Sequence, residues 1–234
     1  MSFPDFSATD AQIQWQRFCD LLWHHEDLGM WVDISRMHLN NTQLEALTPR
    51  LEKAFEAMKA LENGAIANAD ENRQVGHYWL RHPQLAPDPD VAQHIAAEID
   101  QIEQFGKAVI DGTIKSPTGQ PFTNVLWIGI GGSGLGPLLM IRALQDEGAG
   151  LPFHFFDNVD PNGMSRVLAE LGDALRTTLV VTVSKSGGTP EPHLGMEQAR
   201  HRLEAVGGNW SAQAVAITMA DSKLDQQAVA EQWL

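Results

Sequence analysis

Asn124-Val125-Leu126-Trp127-Ile128-Gly129-Ile130-Gly131-Gly132-Ser133-Gly134-Leu135-Gly136-Pro137 decides how this chain is read. An apolar run ends in small residues, and helical spacing of Leu138, Leu139, Ile141 and Leu144 begins at once. A second stretch repeats the plan. Leu179-Val180-Val181-Thr182-Val183 leads into Ser184-Lys185-Ser186-Gly187-Gly188-Thr189-Pro190, and a helical pattern follows. A strand that opens directly into a helix leaves unpaired backbone N–H groups at the positive end of the helix dipole. Such a place binds phosphate.

Around these loops the pattern alternates. Strands are expected over 124–130, 153–156, 178–184 and 214–218, with helices over 133–146, 161–171 and 190–205 and another after Ser222. Apolar strands joined by helices predict an α/β fold, a doubly wound parallel sheet. The first part reads as helical. One helix is expected over 8–26. A second has Thr48 as N-cap, Pro49 at its first position and Gly64 just past its end. Three prolines mark a loop over 83–90, and a third helix spans 91–110. Lys115 to Pro121 reads as a turn or linker, which places a helical extension at 1–115 and the sheet domain at 116–234. The final helix ends at Gln232-Trp233-Leu234, where such a fold normally feeds another strand. The sheet domain is therefore expected to be incomplete at its C-terminal end.

The 234 residues carry a net charge of −14, which argues against nucleic acid or an anionic membrane as partner. An anionic ligand must then be held by local dipoles and donors. Cys19 is the sole cysteine, so no disulfide framework or thiol metal site is expected. No apolar run has the length of a membrane span, and Met1-Ser2-Phe3-Pro4-Asp5 lacks a signal-peptide pattern. The expectation is a cytoplasmic protein. The nine histidines show no ligand spacing, and His24, His25 and Glu26 fall in the expected first helix, so no metal is expected. The seven tryptophans read as core residues rather than a stacking platform.

Taken alone, the first loop supports two readings. Gly129-x-Gly131-x-x-Gly134 fits a dinucleotide fingerprint, with Asp157 after the next strand as the ribose-binding acid. The same glycines also serve close strand–helix packing. Ser133 is either a ligand donor or an N-cap. The second loop shifts the balance toward a phosphate monoester. Ser184, Ser186 and Thr189 offer hydroxyls, and the N–H groups of 186–189 can converge on the same oxygens. Thr189 also suits the N-cap. Lys185 points either at ligand or at solvent. Glu191 either complements the helix dipole or orients a histidine.

The pair of loops, in this order, resembles the signatures of the glucose-6-phosphate isomerase family, most closely its cyanobacterial and other bacterial members. The match rests on Ile130 to Pro137 and on Ser184 to Glu191, with Glu71-Asn72-Arg73, His77 and Leu80-Arg81 matching more loosely. The resemblance implies a sugar-isomerase (SIS) fold with flavodoxin-like strand order, two such domains per subunit, and a homodimer. It implies interconversion of glucose 6-phosphate and fructose 6-phosphate in glycolysis and gluconeogenesis, without metal or nucleotide cofactor. Ser184, Ser186 and Thr189 would hold the phosphate, with Lys185 in the same loop. Gly132 and Ser133 would contact the sugar. Glu191 would match an acid near the ring-opening histidine. Members of that family are about twice this length. Their proton-transferring glutamate, enediolate-stabilising arginine, and ring-opening histidine and lysine match nothing in this chain. It is therefore expected to be the N-terminal half and inactive alone. A non-catalytic sugar-phosphate-binding module is the alternative.

Overall fold

The computed structural model describes residues 3–146 and 150–234. These form two compact units that divide between Ile99 and Asp100. Among the described residues no helix is long and apolar enough to cross a membrane.

The first unit opens with α1 (Ala11–Leu21), capped by the Asp10 carboxylate, which accepts from the Gln12 and Ile13 amides. The helix read over 8–26 stops there. Leu22–His25 (β1) and Met30–Asp33 (β2) form an antiparallel hairpin, turned at Gly29 with φ of +59°. His24 stacks on Trp31 across the strands at 3.9 Å. Aromatic cross-strand pairs of this kind favour a pleated ribbon over continued helix. His24 and His25 thus lie on a strand, and three tryptophans expected in a core (15, 23 and 31) are exposed, whereas Trp79 and Trp210 are buried.

The next helix, α2 (Asn41–Glu62), starts well before Thr48. Asn40 and Gln43 form a reciprocal capping box, which satisfies the first amides and leaves Pro49 inside the helix. Its end is as read. Gly64 adopts φ of +88°, Ala65 N–H bonds to the Ala60 carbonyl and Gly64 N–H to that of Leu61. That pair of bonds is a Schellman closure. Arg17 organises the preceding segment. Only 3% exposed, its guanidinium donates to the carbonyls of Pro4, Ser35, Met37 and Leu39 at 2.7–3.0 Å. Next come α3 (His77–Arg81), a 3-10 turn (Pro83–Leu85) within the expected loop, and α4 (Pro89–Ile110), which runs across the division between the units.

The second unit holds the sheet. Its strands are β3 (Asn124–Ile128), β4 (Phe153–Phe156), β5 (Thr178–Ser184) and β6 (Ala214–Thr218). Its helices are α5 (Gly132–Leu144), α6 (Pro161–Leu171), α7 (Pro190–Ala205) and α8 (Lys223–Ala230). All strand pairs are parallel, and the order is β4-β3-β5-β6. That is second, first, third, fourth, the flavodoxin-like order, with the switch point beside β3. The turn expected at 115–121 is a closed loop bridged between Lys115 and Pro121.

Strand alternation divides the core. Leu126, Ile128 and Val180 face Met164 and Leu168 of α6, Met196 and Leu203 of α7, and Leu224 of α8. Val125, Leu179 and Val181 face the other way, toward Val109 of α4 and Phe122. Each such buried side chain contributes about 1.5–3 kcal/mol relative to exposure.

His154 on β4 gives this unit a pH dependence. Its Nε2 lies 3.1 Å from Asn124 Oδ1, and burial pushes its pKa below the ordinary value, with the Glu170 charge opposing. The unfolded chain then binds more protons than the folded one just below about pH 6.5. Stability is therefore lost as pH falls through that window. Urea titrations at pH 7.5 and 5.8 are expected to show the loss, and His154→Gln to reduce it. An equal loss in His154→Gln would assign it elsewhere.

Candidate functional site

Both loops leave the carboxyl end of the sheet, and β3 and β5 are neighbours, so both stand on one edge of the fold. In the first loop the glycines have separate duties. A Cβ on Gly134 would lie 2.4 Å from the Gly129 carbonyl oxygen, and one on Gly129 would lie 2.6 Å from that of Ser133. These two let the helix start against the strand end. Gly131 takes φ of +56° as the N-cap of α5. Ser133 is therefore the second helical residue and not a cap. Its carbonyl accepts from the Trp127 indole at 2.8 Å, which fixes the turn. Gly132 is exposed beside it and Ser133 half-buried. Asp157 lies near the same turn, and its carboxylate accepts from the Asn158 amide at 2.7 Å.

In the second loop three hydroxyls meet. Ser184 Oγ donates to Thr189 Oγ1 at 3.2 Å, Ser186 Oγ lies 3.4 Å from the same atom, and the Gly188 amide donates to Ser186 Oγ. Thr189 occupies the N-cap of α7 but makes no side-chain cap bond. Pro192 removes the amide at the third helical position, and the Thr189 hydroxyl turns to Ser184 and Ser186 rather than to the remaining Glu191 amide. The threonine hydroxyl is left for the loop interior. Gly187, with φ of +65°, carries the chain through the turn. Lys185 is exposed, and its carbonyl accepts from the Met219 amide. Glu191 sits in the first turn of α7.

The structure adds a third contributor that reading for glycine loops does not find. Thr218, at the end of β6, donates from its hydroxyl to the Ser184 carbonyl at 2.7 Å. Having spent its hydrogen there, it accepts from Ser222 Oγ, also at 2.7 Å. Ser222 in turn caps α8 by accepting from the Asp225 amide. A line of bonds thus runs from the α8 N-terminus to the last residue of β5. The sequence signal was the Ser222-x-x-Asp225 spacing of an N-terminal cap.

Beneath the second loop, between the starts of α7 and α8, is a cavity of about 390 Å³. Its lining is mixed: Thr182, Ser184, Thr189, His193, Lys223 and Gln227 are polar, Pro190, Pro192, Met196 and Leu224 are apolar, and none is acidic. Gly132 and Ser133 do not line it. Among the described residues no three His, Cys, Asp or Glu side chains are grouped to hold a metal ion.

The phosphoglucose isomerase family model matches residues 33–232. A glucose-6-phosphate isomerase of Parasynechococcus marenigrum (strain WH8102) is 76% identical over all 234 residues, which span 42% of its length. One from Synechococcus sp. (strain CC9605) is 73% identical, with 44% of its length spanned. The crystal structure of a glucose-6-phosphate isomerase from Chlamydia trachomatis D/UW-3/Cx superposes on 96% of the chain with a TM-score of 0.76 at 26% identity, covering 43% of that protein. The chain thus spans less than half the length of these relatives.

Proposed function

The chain belongs to the phosphoglucose isomerase family, and we propose that it supplies the phosphate-binding part of an enzyme that interconverts glucose 6-phosphate and fructose 6-phosphate. The carrying observation is the convergence of Ser184, Ser186 and Thr189 at the start of α7, where Thr189 makes no side-chain cap bond. The hydroxyls are spaced to donate to the oxygens of one phosphate, and the α7 dipole adds favourable potential. Gly132 and Ser133, across the β3–β5 edge, take the sugar side. Lys185 adds positive charge to the loop, and Glu191 stands ready to orient a group on the sugar side.

The isomerisation moves a proton between C1 and C2. It needs a base within hydrogen-bond reach of that proton and positive charge near the enediolate oxygens. We assign those groups to the part of the relatives' length that this chain does not span, and place the 1–115 extension and the 116–234 sheet domain before it. The same reading includes a homodimer and a cytoplasmic setting.

Two results are expected. The purified 234-residue chain binds glucose 6-phosphate in calorimetry but yields no fructose 6-phosphate in a coupled assay; turnover would put the proton-transfer groups on this chain. Thr189→Ala removes a bond to a charged group, typically about 1.5–3 kcal/mol, and should weaken that binding about tenfold or more. Unchanged affinity would remove the loop from the phosphate role.

A further inference from the structure

We propose that Lys223 and Thr182 belong to the same anion site, so that the phosphate held by the second loop is also gripped from the side of α8. This rests on the reading of Ser184 to Thr189 as the phosphate loop. Four observations lead to it. First, the loop and α8 are in direct contact: a Cβ on Gly187 would lie 2.5 Å from Ser222 Oγ and 2.7 Å from the Leu224 amide nitrogen. The hydroxyl line through Thr218 and Ser222 fixes that contact.

Second, Lys223 is the first residue of α8. A cation there opposes the helix dipole, in a first turn that also carries Asp225. A bound dianion reverses the sign, because the lysine and the dipole then attract the same charge. Third, Lys223 lines a cavity without acidic walls in a chain of net charge −14. Asp221 and Asp225 flank it in the sequence, but neither lines this space, which Lys223 therefore enters without a carboxylate beside it on the wall.

Fourth, Thr182 is 1% exposed, lines this cavity, and its hydroxyl has no hydrogen-bond partner. It lies two residues before Ser184 on β5, hence on the same face of the strand. A buried hydroxyl without a partner is costly, and an oxyanion above it removes the cost. Polar side chains on three elements therefore converge on one space: Ser184 and Thr182 from β5, Thr189 from the start of α7, and Lys223 from α8.

The test titrates the 234-residue chain with inorganic phosphate by calorimetry, with melting temperature as the folding control. Lys223→Met is expected to weaken binding about tenfold, and Lys223→Arg, which keeps the charge, by no more than about threefold. Thr182→Val, nearly isosteric, should weaken binding about threefold to tenfold without lowering the melting temperature. Ser186→Ala reports on the loop itself. If Ser186→Ala weakens binding while Lys223→Met and Thr182→Val bind as the parent chain does, the loop stands and this proposal falls. If phosphate binds neither the parent chain nor any variant, both readings fall together.

Discussion

Gly187→Ala is expected to cost about 2–4 kcal/mol of stability and to weaken phosphate binding more than tenfold, a larger loss at the site than removal of any one hydroxyl. Two effects add. Alanine at φ of +65° enters the left-handed region, at about 1–2 kcal/mol. Its methyl group would also meet Ser222 Oγ at 2.5 Å, Ser222 Cβ at 2.8 Å and the Leu224 backbone nitrogen at 2.7 Å. A side-chain tip can swing away, but the first turn of a helix cannot do so without moving its cap. The turn must retreat, which breaks the line from Ser222 through Thr218 to the Ser184 carbonyl and lets the hydroxyl cluster drift. Gly188 supplies the comparison: a Cβ there meets nothing within 4 Å and its φ is not positive, so Gly188→Ala should hold its melting temperature. Equal phosphate affinities for Gly187→Ala and the parent chain would show that the loop does not depend on α8 for its shape.

The same neighbouring residues show what sequence alone revealed and what it did not. From residue 124 onward, glycine and proline punctuate short apolar runs, and β5, β6, α6 and α7 lie where the pattern placed them. Local signals and tertiary packing agree in that region. In the first unit they compete. Helical spacing through Leu22 continued on paper, but the hairpin of Trp23, His24 and Trp31 forms through contacts between residues the spacing rule does not compare. Pro49 drew the expected start of α2 too late because a proline suits a first turn, whereas the helix starts at the Asn40–Gln43 box and carries Pro49 in its interior.

Arg17 carries no sequence signal, since its partners are backbone carbonyls whose positions only the fold supplies. At the candidate site, the hydroxyl-bearing loop was legible from its residue types. That Thr189 makes no side-chain cap bond on α7 was not legible, because its residue type suits the N-cap and the Glu191 amide leaves a cap possible. Nor was the contribution of Thr218, Ser222 and Lys223, because it depends on β6 lying beside β5.

At the opposite end of the sheet, Gln213→Leu is expected to destabilise the second unit by about 3–5 kcal/mol, a large share of an ordinary domain's stability. Gln213 is fully buried. Its amide donates to the carbonyls of Leu175 and Thr178, both at 2.8 Å, and its side-chain oxygen accepts from the Asn209 amide at 3.1 Å. Leucine fills nearly the same volume but gives up all three bonds, leaving the Leu175 carbonyl with only the Thr178 N–H.

Gln213→Glu separates hydrogen bonding from shape. An ionised glutamate keeps the bond from Asn209 but sets a buried charge against two carbonyl oxygens, so its pKa must rise on folding. The folded state then binds more protons than the unfolded one, and stability increases as pH falls, opposite to the sign expected from His154. Denaturant titrations of Gln213→Glu between pH 7.5 and 5 are the measurement. A curve parallel to that of the parent chain would mean that the side chain at 213 is not held in a dry, carbonyl-lined pocket.

Phosphate affinity, measured well below the melting temperature, should be nearly unchanged in both variants. Gln213 precedes β6 and bonds to the first residue of β5, whereas Ser184, Ser186 and Thr189 lie where β5 ends. The amino ends of these strands fix stability and the carboxyl ends fix the ligand, so a mutation at either end should be read in its own measurement.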